Sequence, residues 1–173
     1  MRLFHFSEDG TITLFRPRGS RVGKDKQPSV WAIDDVHAPS YWFPRECPRA
    51  CCWAGEASPP DARRQLLELG GSRRLHAVEA AWLARIRDCR LFAYEFDPKP
   101  FNSELPDAGY WTATQDIVPL CVTTMDDLLD RHIEAEIEIR IVKNLWPLID
   151  AITASGLDFS IIRKANAQPR HSG

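Results

Sequence analysis

S-V-W-A-I-D-D-V-H-A-P-S-Y-W-F-P-R, residues 29–45, joins a strand signal to the start of a helix and holds four aromatic residues. The β-branched and aromatic run at 30–33 predicts a short buried strand. Asp34 or Asp35 then offers a carboxylate that can cap the first free N–H groups of a helix. The side chains expected to share one face of that helix are Ala38, Tyr41 and Trp42. A strand that runs directly into an aromatic helix predicts one wall of a ligand pocket.

Length and charge are those of an ordinary globular protein. The chain has 173 residues, with 22 Lys and Arg against 24 Asp and Glu. This length predicts a single domain over 1–173 with its core at about 2–162. The near balance of charges argues against general nucleic-acid binding and against binding to an anionic membrane surface. No apolar run approaches the roughly 20 residues of a membrane span, and no signal-peptide core follows Met1, so we expect a cytoplasmic protein without a membrane partner.

The five cysteines predict reduced thiols, because their number is odd and no secretory signal is evident. They are Cys47, Cys51, Cys52, Cys89 and Cys121. The cluster C-P-R-A-C-C at 47–52 also admits a metal site. A structural zinc site usually needs a second pair of ligands at a matching spacing, and none follows. We therefore expect no bound metal and interpret Cys51 and Cys52 as small apolar residues of a strand.

Strand and helix signals are mixed along the chain without strict alternation. Strands are predicted at 2–6, 49–53, 75–78, 89–97, 109–113, 117–122, 138–142 and 157–162. Helices are predicted at 58–69, 79–87, 124–133 and 145–152. In the third of these helices Thr124 is the expected cap. The pattern predicts an α+β fold with a mostly antiparallel, split sheet and several packing helices.

Two segments are predicted to be flexible. The loop 16–28 carries five basic residues, two glycines and two prolines, and the tail 166–173 is expected to fray. The loop has two interpretations. It is a solvated connection, or it is an arm that contacts phosphate, because Arg and Lys pair naturally with phosphate oxygens.

Common catalytic motifs are absent from the sequence. There is no G-x-S-x-G, H-E-x-x-H or P-loop motif, and no G-x-G-x-x-G follows a strand, which leaves the corresponding hydrolase, zinc-protease and dinucleotide folds without support. His5, in the middle of L-F-H-F-S, is either a structural histidine or a functional one. The acidic run 134–138 is either a solvated face or a pair of carboxylates for acid–base chemistry.

Four segments in a fixed order resemble the ADP-ribosyltransferase-like superfamily, and are most similar to the rifampin ADP-ribosyltransferases. They are L-F-H-F-S at 3–7, V-W-A-I-D-D at 30–35, L-F-A-Y-E-F-D-P-K-P-F at 91–101 and G-Y-W-T-A-T-Q-D-I-V-P-L at 109–120. Those enzymes open with Y-x-H-G-T, continue with a strand of I-Y-x-T type and a helix, and carry a later strand of V-x-E-P type. The likeness covers about residues 2–122. The whole chain also resembles a bacterial protein family to which no activity is attached.

This resemblance implies an ADP-ribosyltransferase-like core that uses NAD and needs no metal. The residues that it places in catalytic positions are His5 at the ribose, Trp31 stacked on nicotinamide, and Glu104 or Asp107 as the acidic member. The residues that it places in contact with the cofactor are Phe6, Ser7, Arg16, Arg18 and Tyr41. One departure is that the glycine of H-G-T is Phe6 here, which leaves less room for the carboxamide.

The leading hypothesis is a protein that binds NAD or a related small-molecule nucleotide, and ADP-ribosyl transfer is its sharper version. A carboxylate would then stabilise the positive charge that develops on the ribose. This hypothesis expects the side chains of His5 and Trp31 to face one cleft. The first alternative is a nucleotide-binding or protein-interaction module without catalysis. The second is a small phosphoester hydrolase that uses His5 with His37 as acid and base; the acceptor and the oligomeric state are left open.

Overall fold

The computed structural model describes residues 1–19 and 27–170. It divides the chain into two compact units, and each unit is assembled from two separate segments. Unit 1 contains Met1–Trp42 and Arg90–Asp126, and unit 2 contains Phe43–Cys89 and Asp127–Gly173. Across the described residues, no helix combines the length and the apolar character that a membrane crossing requires.

Ten strands and four α-helices, together with short 3-10 helices, make up the described part of the chain. The strands are β1 (Leu3–Ser7), β2 (Val30–Asp34), β3 (Arg49–Trp53), β4 (Arg74–Glu79), β5 (Leu91–Phe96), β6 (Asn102–Leu105), β7 (Tyr110–Ala113), β8 (Cys121–Met125), β9 (Glu138–Val142) and β10 (Asp158–Ile162). The α-helices are α1 (Pro60–Leu66), α2 (Leu83–Asp88), α3 (Leu128–Glu134) and α4 (Trp146–Ser155).

Unit 1 is built on a six-stranded sheet in the order β6-β7-β2-β1-β5-β8. Every neighbouring pair in it is antiparallel. One face carries the core, because alternate residues of a strand point to the same side. The core side chains come from the strands and from the segment after β1, and include Leu3, Phe15, Tyr94 and Phe96. The Phe15 ring meets the rings of Tyr94 and Phe96 edge-on, with centroids 5.1 and 4.9 Å apart.

Unit 2 is built on a four-stranded sheet in the order β10-β3-β4-β9. The β4–β9 pair is parallel and the other two pairs are antiparallel. All five residues of β3 are buried. One face of the sheet packs against apolar residues of and around α1 and α4, among them Ala62, Leu145, Ile149 and Ile152. This burial of two opposed apolar surfaces is what stabilises the unit.

Glu79, at the end of β4, is a buried carboxylate that fixes two distant parts of unit 2. It is 1% exposed. Its Oε1 accepts the backbone N–H of Leu145, which precedes α4, at 3.0 Å. Both carboxylate oxygens accept the N–H of Gln168, at 3.1 and 3.0 Å. The carboxylate thus compensates for its burial through backbone donors.

The α+β class with a mostly antiparallel sheet agrees with the sequence pattern, but the prediction for Thr124 is wrong. Thr124 does not cap a helix; it lies inside β8, and α3 begins at Leu128. No sequence signal predicts β6, which lies between β5 and β7 in the chain. Both strands are held by pairing with partners along the sheet, β5 for β8 and β7 for β6, which local sequence signals do not report.

None of the five cysteines forms a disulfide. Cys121 is exposed, and the other four are buried. Burial raises the pKa of the thiols of Cys47 and Cys52 to about 12 in each case, so both are protonated near neutral pH. No group of three or more His, Cys, Asp or Glu residues with metal-binding geometry occurs in the described ranges.

Candidate functional site

His5 and Trp31 lie on adjacent strands, but their side chains point to opposite faces of the sheet. The register pairs Phe4 on β1 with Ile33 on β2, and directly paired residues of antiparallel strands share a face. Trp31 lies two residues from Ile33, so it is on that face, whereas His5 is next to Phe4 and is on the other. The expectation that both side chains line one cleft is therefore wrong.

The contacts of the two rings agree with this placement. The His5 ring packs on the core residue Phe15, with ring centroids 5.0 Å apart. The indole of Trp31 instead meets the ring of Tyr110 edge-on at 6.0 Å. The link between them is a hydrogen bond of 3.1 Å from Nδ1 of His5 to the backbone carbonyl oxygen of Trp31. Because a carbonyl oxygen only accepts, this bond fixes the proton on Nδ1.

Three half-buried aromatic side chains, Trp31, Tyr41 and Tyr110, form what we call the aromatic face. Ile33 pairs with Tyr110 and Trp31 with Thr112, which sets Trp31 and Tyr110 on the same side of the sheet. Tyr41 ends the 3-10 helix Ala38–Tyr41 that follows β2. Its ring meets that of Tyr110 edge-on at 6.4 Å, and its hydroxyl donates to the Tyr110 hydroxyl at 2.9 Å. Strand β2 and the turn after it thus bring Trp31 and Tyr41 to Tyr110.

A histidine–carboxylate pair lies in the turn between β2 and that 3-10 helix. Oδ1 of Asp34 accepts the backbone N–H of His37 at 2.9 Å and lies 2.7 Å from its Nδ1. The side chains are only 14% and 13% exposed, respectively. Such a partner fixes the tautomer and the orientation of an imidazole ring. Asp34 therefore supports the turn before the 3-10 helix, but it does not cap that helix as the sequence predicts, because the N-cap is His37 and it has no side-chain capping hydrogen bond.

Gly109 allows β7 to approach this pair closely. Its carbonyl oxygen accepts the N–H of Asp34 at 3.0 Å. Its φ is +70°, and a Cβ at this position would collide with Nδ1 of His37 and would come within 2.8 Å of Oδ1 of Asp34. Only glycine fits such a position without strain. The next residue is Tyr110, so the Asp34–His37 pair adjoins the aromatic face.

The two acidic candidates lie in the connection from β6 to β7. Glu104 is half-buried, at a shift of register in β6 between Ser103 and Leu105, and Leu105 pairs with Tyr110. Asp107 belongs to the 3-10 turn Pro106–Ala108 that leads to Gly109. Both residues therefore precede Tyr110 closely in the chain, at the β6–β7 end of the sheet, whereas His5 lies on β1.

The remaining candidates are divided between several places. Phe6 is half-buried on the Trp31 side of the sheet, since it lies two residues from Phe4. Ser7 is 5% exposed, and its Oγ accepts the N–H of Asp9 at 3.1 Å, a contact that supports the turn after β1. Arg18 forms a backbone bridge with Ser29, directly before β2. Residues 20–26 of the predicted basic arm and 171–173 of the predicted tail lie outside the described residues.

Arg16 lies near a different feature, an open groove of about 440 Å³. Arg16 forms an exposed ion pair of 3.9 Å with Asp116, which is one of the lining residues of that groove. The others are Asp97, Lys99, Pro100, Gln115, Ile117 and Val118. Charges of both signs are mixed here, so the groove favours no single ligand charge.

Sequence reasoning placed Trp31 and Tyr41 in the site but missed Asp34–His37 as a pair and Tyr110. The spacing D-x-x-H at 34–37 was a usable signal, because residues three apart meet in one helical turn. Tyr110 gave no such local signal, since its contacts with Trp31 and Tyr41 join distant parts of the chain.

One family model matches the chain, over residues 4–167, and its description is a family of unknown function, DUF6886. No curated protein and no solved structure shows significant similarity to the chain. The resemblance to ADP-ribosyltransferases therefore stays a prediction, and the site is interpreted from its own geometry.

Proposed function

The chain belongs to the DUF6886 family, and we propose that it binds a nucleotide such as NAD at the aromatic face. The observation that supports this proposal is the half-buried Trp31 indole, held edge-on by Tyr110, which is itself hydrogen-bonded to Tyr41. A nucleobase or nicotinamide ring stacks favourably on such a rigid aromatic surface. Because the three rings already pack against one another, this stacking surface is present without a large movement of the protein.

Polar groups beside the aromatic face fit the rest of a nucleotide. The Asp34–His37 pair and the two tyrosine hydroxyls can exchange hydrogen bonds with ribose hydroxyls or a carboxamide. Arg18, which adjoins the start of β2 through its bridge to Ser29, supplies a guanidinium for the phosphates. The combination of one stacking surface with a few polar groups is typical of small-molecule sites.

Binding without catalysis is the version that the geometry favours over ADP-ribosyl transfer. Transfer would need a histidine, an aromatic ring and a carboxylate around one ribose. Glu104 and Asp107 belong to the β6–β7 connection, and His5 lies on the face of the sheet opposite Trp31. We therefore propose a nucleotide-binding protein and assign no catalytic role to His5.

The phosphoester hydrolase has no support in the placement of His5 and His37. The N–H of Asp35 donates to the carbonyl of Arg2 at 3.1 Å, so the turn that carries His37 adjoins the first residues of the chain. The His5 ring packs on the core residue Phe15, whereas the His37 ring is paired with Asp34 in the turn after β2. These separate surroundings do not favour a shared role of the two histidines as acid and base at one phosphate.

Calorimetry with NAD tests the proposal. We expect wild-type protein to bind NAD at millimolar or lower concentration, and Trp31→Ala to lose about 1–3 kcal/mol of binding, the usual value of one base–aromatic stack. Trp31→Phe keeps a stacking plane and should retain most of the affinity. Phe159→Ala is the matched control, because this ring is 42% exposed on β10 of the other unit. No heat of binding at millimolar NAD, or equal affinity of wild type and Trp31→Ala, would overturn the proposal.

A further inference from the structure

The pairing between β1 and β2 stops short of Trp31. Within the described residues the ladder ends at the pair of Phe4 with Ile33, although a regular antiparallel register would continue to a pair of Phe6 with Trp31. On its other side β1 stays paired with β5 along its whole length. At the end of β2 that carries Trp31, the regular strand pairing with β1 has therefore stopped.

The side chain of His5 joins the two strands at this point. The N–H of Asp35 donates to the carbonyl oxygen of Arg2 at 3.1 Å. Every second pair of an antiparallel ladder is hydrogen-bonded, so the carbonyl group of Trp31 points towards β1. Nδ1 of His5 donates to this oxygen at 3.1 Å. A side chain thus supplies the hydrogen bond that a neighbouring strand supplies in a regular sheet.

Strand β7, on the other side of β2, does not take this role. The N–H of Asp34 donates to the carbonyl oxygen of Gly109 at 3.0 Å, and the hydrogen-bonded pairs recur at every second residue. The pair of Trp31 with Thr112 is therefore of the non-hydrogen-bonded kind. The carbonyl group of Trp31 points away from β7 and towards His5.

The ring of His5 is itself held by the core of unit 1. It packs on the ring of Phe15 with centroids 5.0 Å apart. Phe15 is bound to Ile117 by two backbone hydrogen bonds of 2.8 Å, and its ring meets that of Tyr94 edge-on at 5.1 Å. A donor whose side chain is fixed by packing can hold its acceptor in one place.

We propose that His5 is a positioning residue of the aromatic face. Through its hydrogen bond to the carbonyl oxygen of Trp31, it fixes the backbone from which the stacking indole projects. The imidazole acts from the opposite face of the sheet and touches no ligand. This inference rests on the proposed function, because a binding group must stay within about 0.5 Å of its productive position.

Three substitutions separate the hydrogen bond from the packing of the ring. His5→Asn places an amide N–H close to the position of Nδ1 and so keeps a donor. His5→Phe keeps an aromatic ring against Phe15 but has no donor. His5→Leu also lacks the donor and repeats the test with a smaller side chain. Circular dichroism shows which of these variants are folded.

The first readout is the ¹⁹F NMR spectrum of protein labelled with 5-fluorotryptophan, recorded without nucleotide. The chain has six tryptophans, and Trp31→Phe identifies the resonance of Trp31. We expect His5→Phe and His5→Leu to shift or broaden this resonance, and His5→Asn to leave it close to the wild-type position. Trp53, which belongs to unit 2, is the internal control, and its resonance should stay in place.

Calorimetry with NAD is the second readout. His5→Phe should weaken binding by about 2- to 10-fold, the usual value of one hydrogen bond, and His5→Asn by less. An unchanged Trp31 resonance in both His5→Phe and His5→Leu would overturn the inference. So would an equal disturbance in His5→Asn, since packing of the ring would then place the indole. Failure of the wild type to bind NAD would overturn the proposed function instead, because the resonance reports on His5 without a ligand.

Discussion

His76, in the middle of β4, is fully buried, and replacing it should stabilise the protein. Its exposure is 0%, and neither ring nitrogen makes a hydrogen bond within the part of the chain that the structure describes. Its ring lies 5.2 Å from that of His132 and 6.0 Å from that of Phe43, measured between centroids. Burial, and then the proximity of His132, Arg74 and Arg49, lower the pKa of His76 well below 6.5.

The substitution His76→Leu removes the buried polar ring and keeps a similar volume. A buried polar group without a partner costs about 1–3 kcal/mol, and an imperfect fit of the new side chain costs up to about 1.5 kcal/mol. We therefore expect a net gain of about 1 kcal/mol in the free energy of unfolding at pH 7.5. The measurement is guanidinium denaturation of both proteins.

Acid should enlarge this difference. Because the pKa of His76 is lower in the folded protein than in the unfolded chain, only the unfolded chain takes up the proton just below pH 6.5. Wild-type stability is thus complete above this pH and falls as the pH decreases, by up to about 1.4 kcal/mol per pH unit, until the folded-state pKa is reached. His76→Leu lacks this loss, so its advantage over wild type should grow as the pH falls from 7.5 to 5.0.

His132→Leu is the matched control. His132 is also 0% exposed, but its Nδ1 donates to the carbonyl oxygen of Leu128 at 2.6 Å. Its replacement removes this hydrogen bond, so at pH 7.5 His132→Leu should be less favourable than His76→Leu. The reasoning is refuted if His76→Leu is less stable than wild type at both pH values, or if its advantage does not change with pH.

Two further substitutions test the packing of unit 2. Glu79→Ala leaves two backbone N–H groups without their acceptor, so it should lower the free energy of unfolding by about 2 kcal/mol in chemical denaturation. Glu79→Gln keeps an acceptor oxygen and should cost less. Equal stability of Glu79→Ala and wild type would contradict this role of the carboxylate. Leu128 lies at the start of α3 and is 1% exposed, so Leu128→Ala should lower the free energy of unfolding by about 2–5 kcal/mol. The next residue, Leu129, is only half-buried, so Leu129→Ala should cost less than Leu128→Ala. The reverse order in parallel thermal melts would show that the buried face of α3 is wrongly assigned.

Strands with strong internal signals were predictable from sequence, and strands that depend on a partner were not. β5 reads L-F-A-Y-E-F and β3 reads R-A-C-C-W. In both, the apolar and aromatic residues alone indicate a strand. At β8, Thr124 followed by Asp127 three positions later matches the sequence pattern of a helix N-cap, and this pattern predicted a helix. Pairing of Thr124 with Phe92 on β5 decides the outcome instead, and no local pattern contains that contact.

The candidate site shows the same division. Trp31 and Tyr41 belong to one continuous stretch, so their association was predictable. Whether His5 joins them depends on the register of β1 against β2, and a slip of one residue exchanges the two faces of a strand. The sequence states the alternation within each strand but not the pairing of Phe4 with Ile33 that relates the two.

The segments of the two units alternate along the chain, and this order determines when each sheet can be completed during synthesis. β3 and β4 leave the ribosome early, while their outer neighbours β10 and β9 are translated only after the whole of unit 1. During that interval β3, which is buried along its full length in the finished protein, remains an uncovered apolar edge, the kind of nascent species that chaperones retain. A fragment that stops at residue 126 would therefore contain every strand of unit 1 together with β3 and β4 of unit 2, whose apolar surface would stay uncovered. An intact unit 2 cannot be expressed as one contiguous piece of the chain.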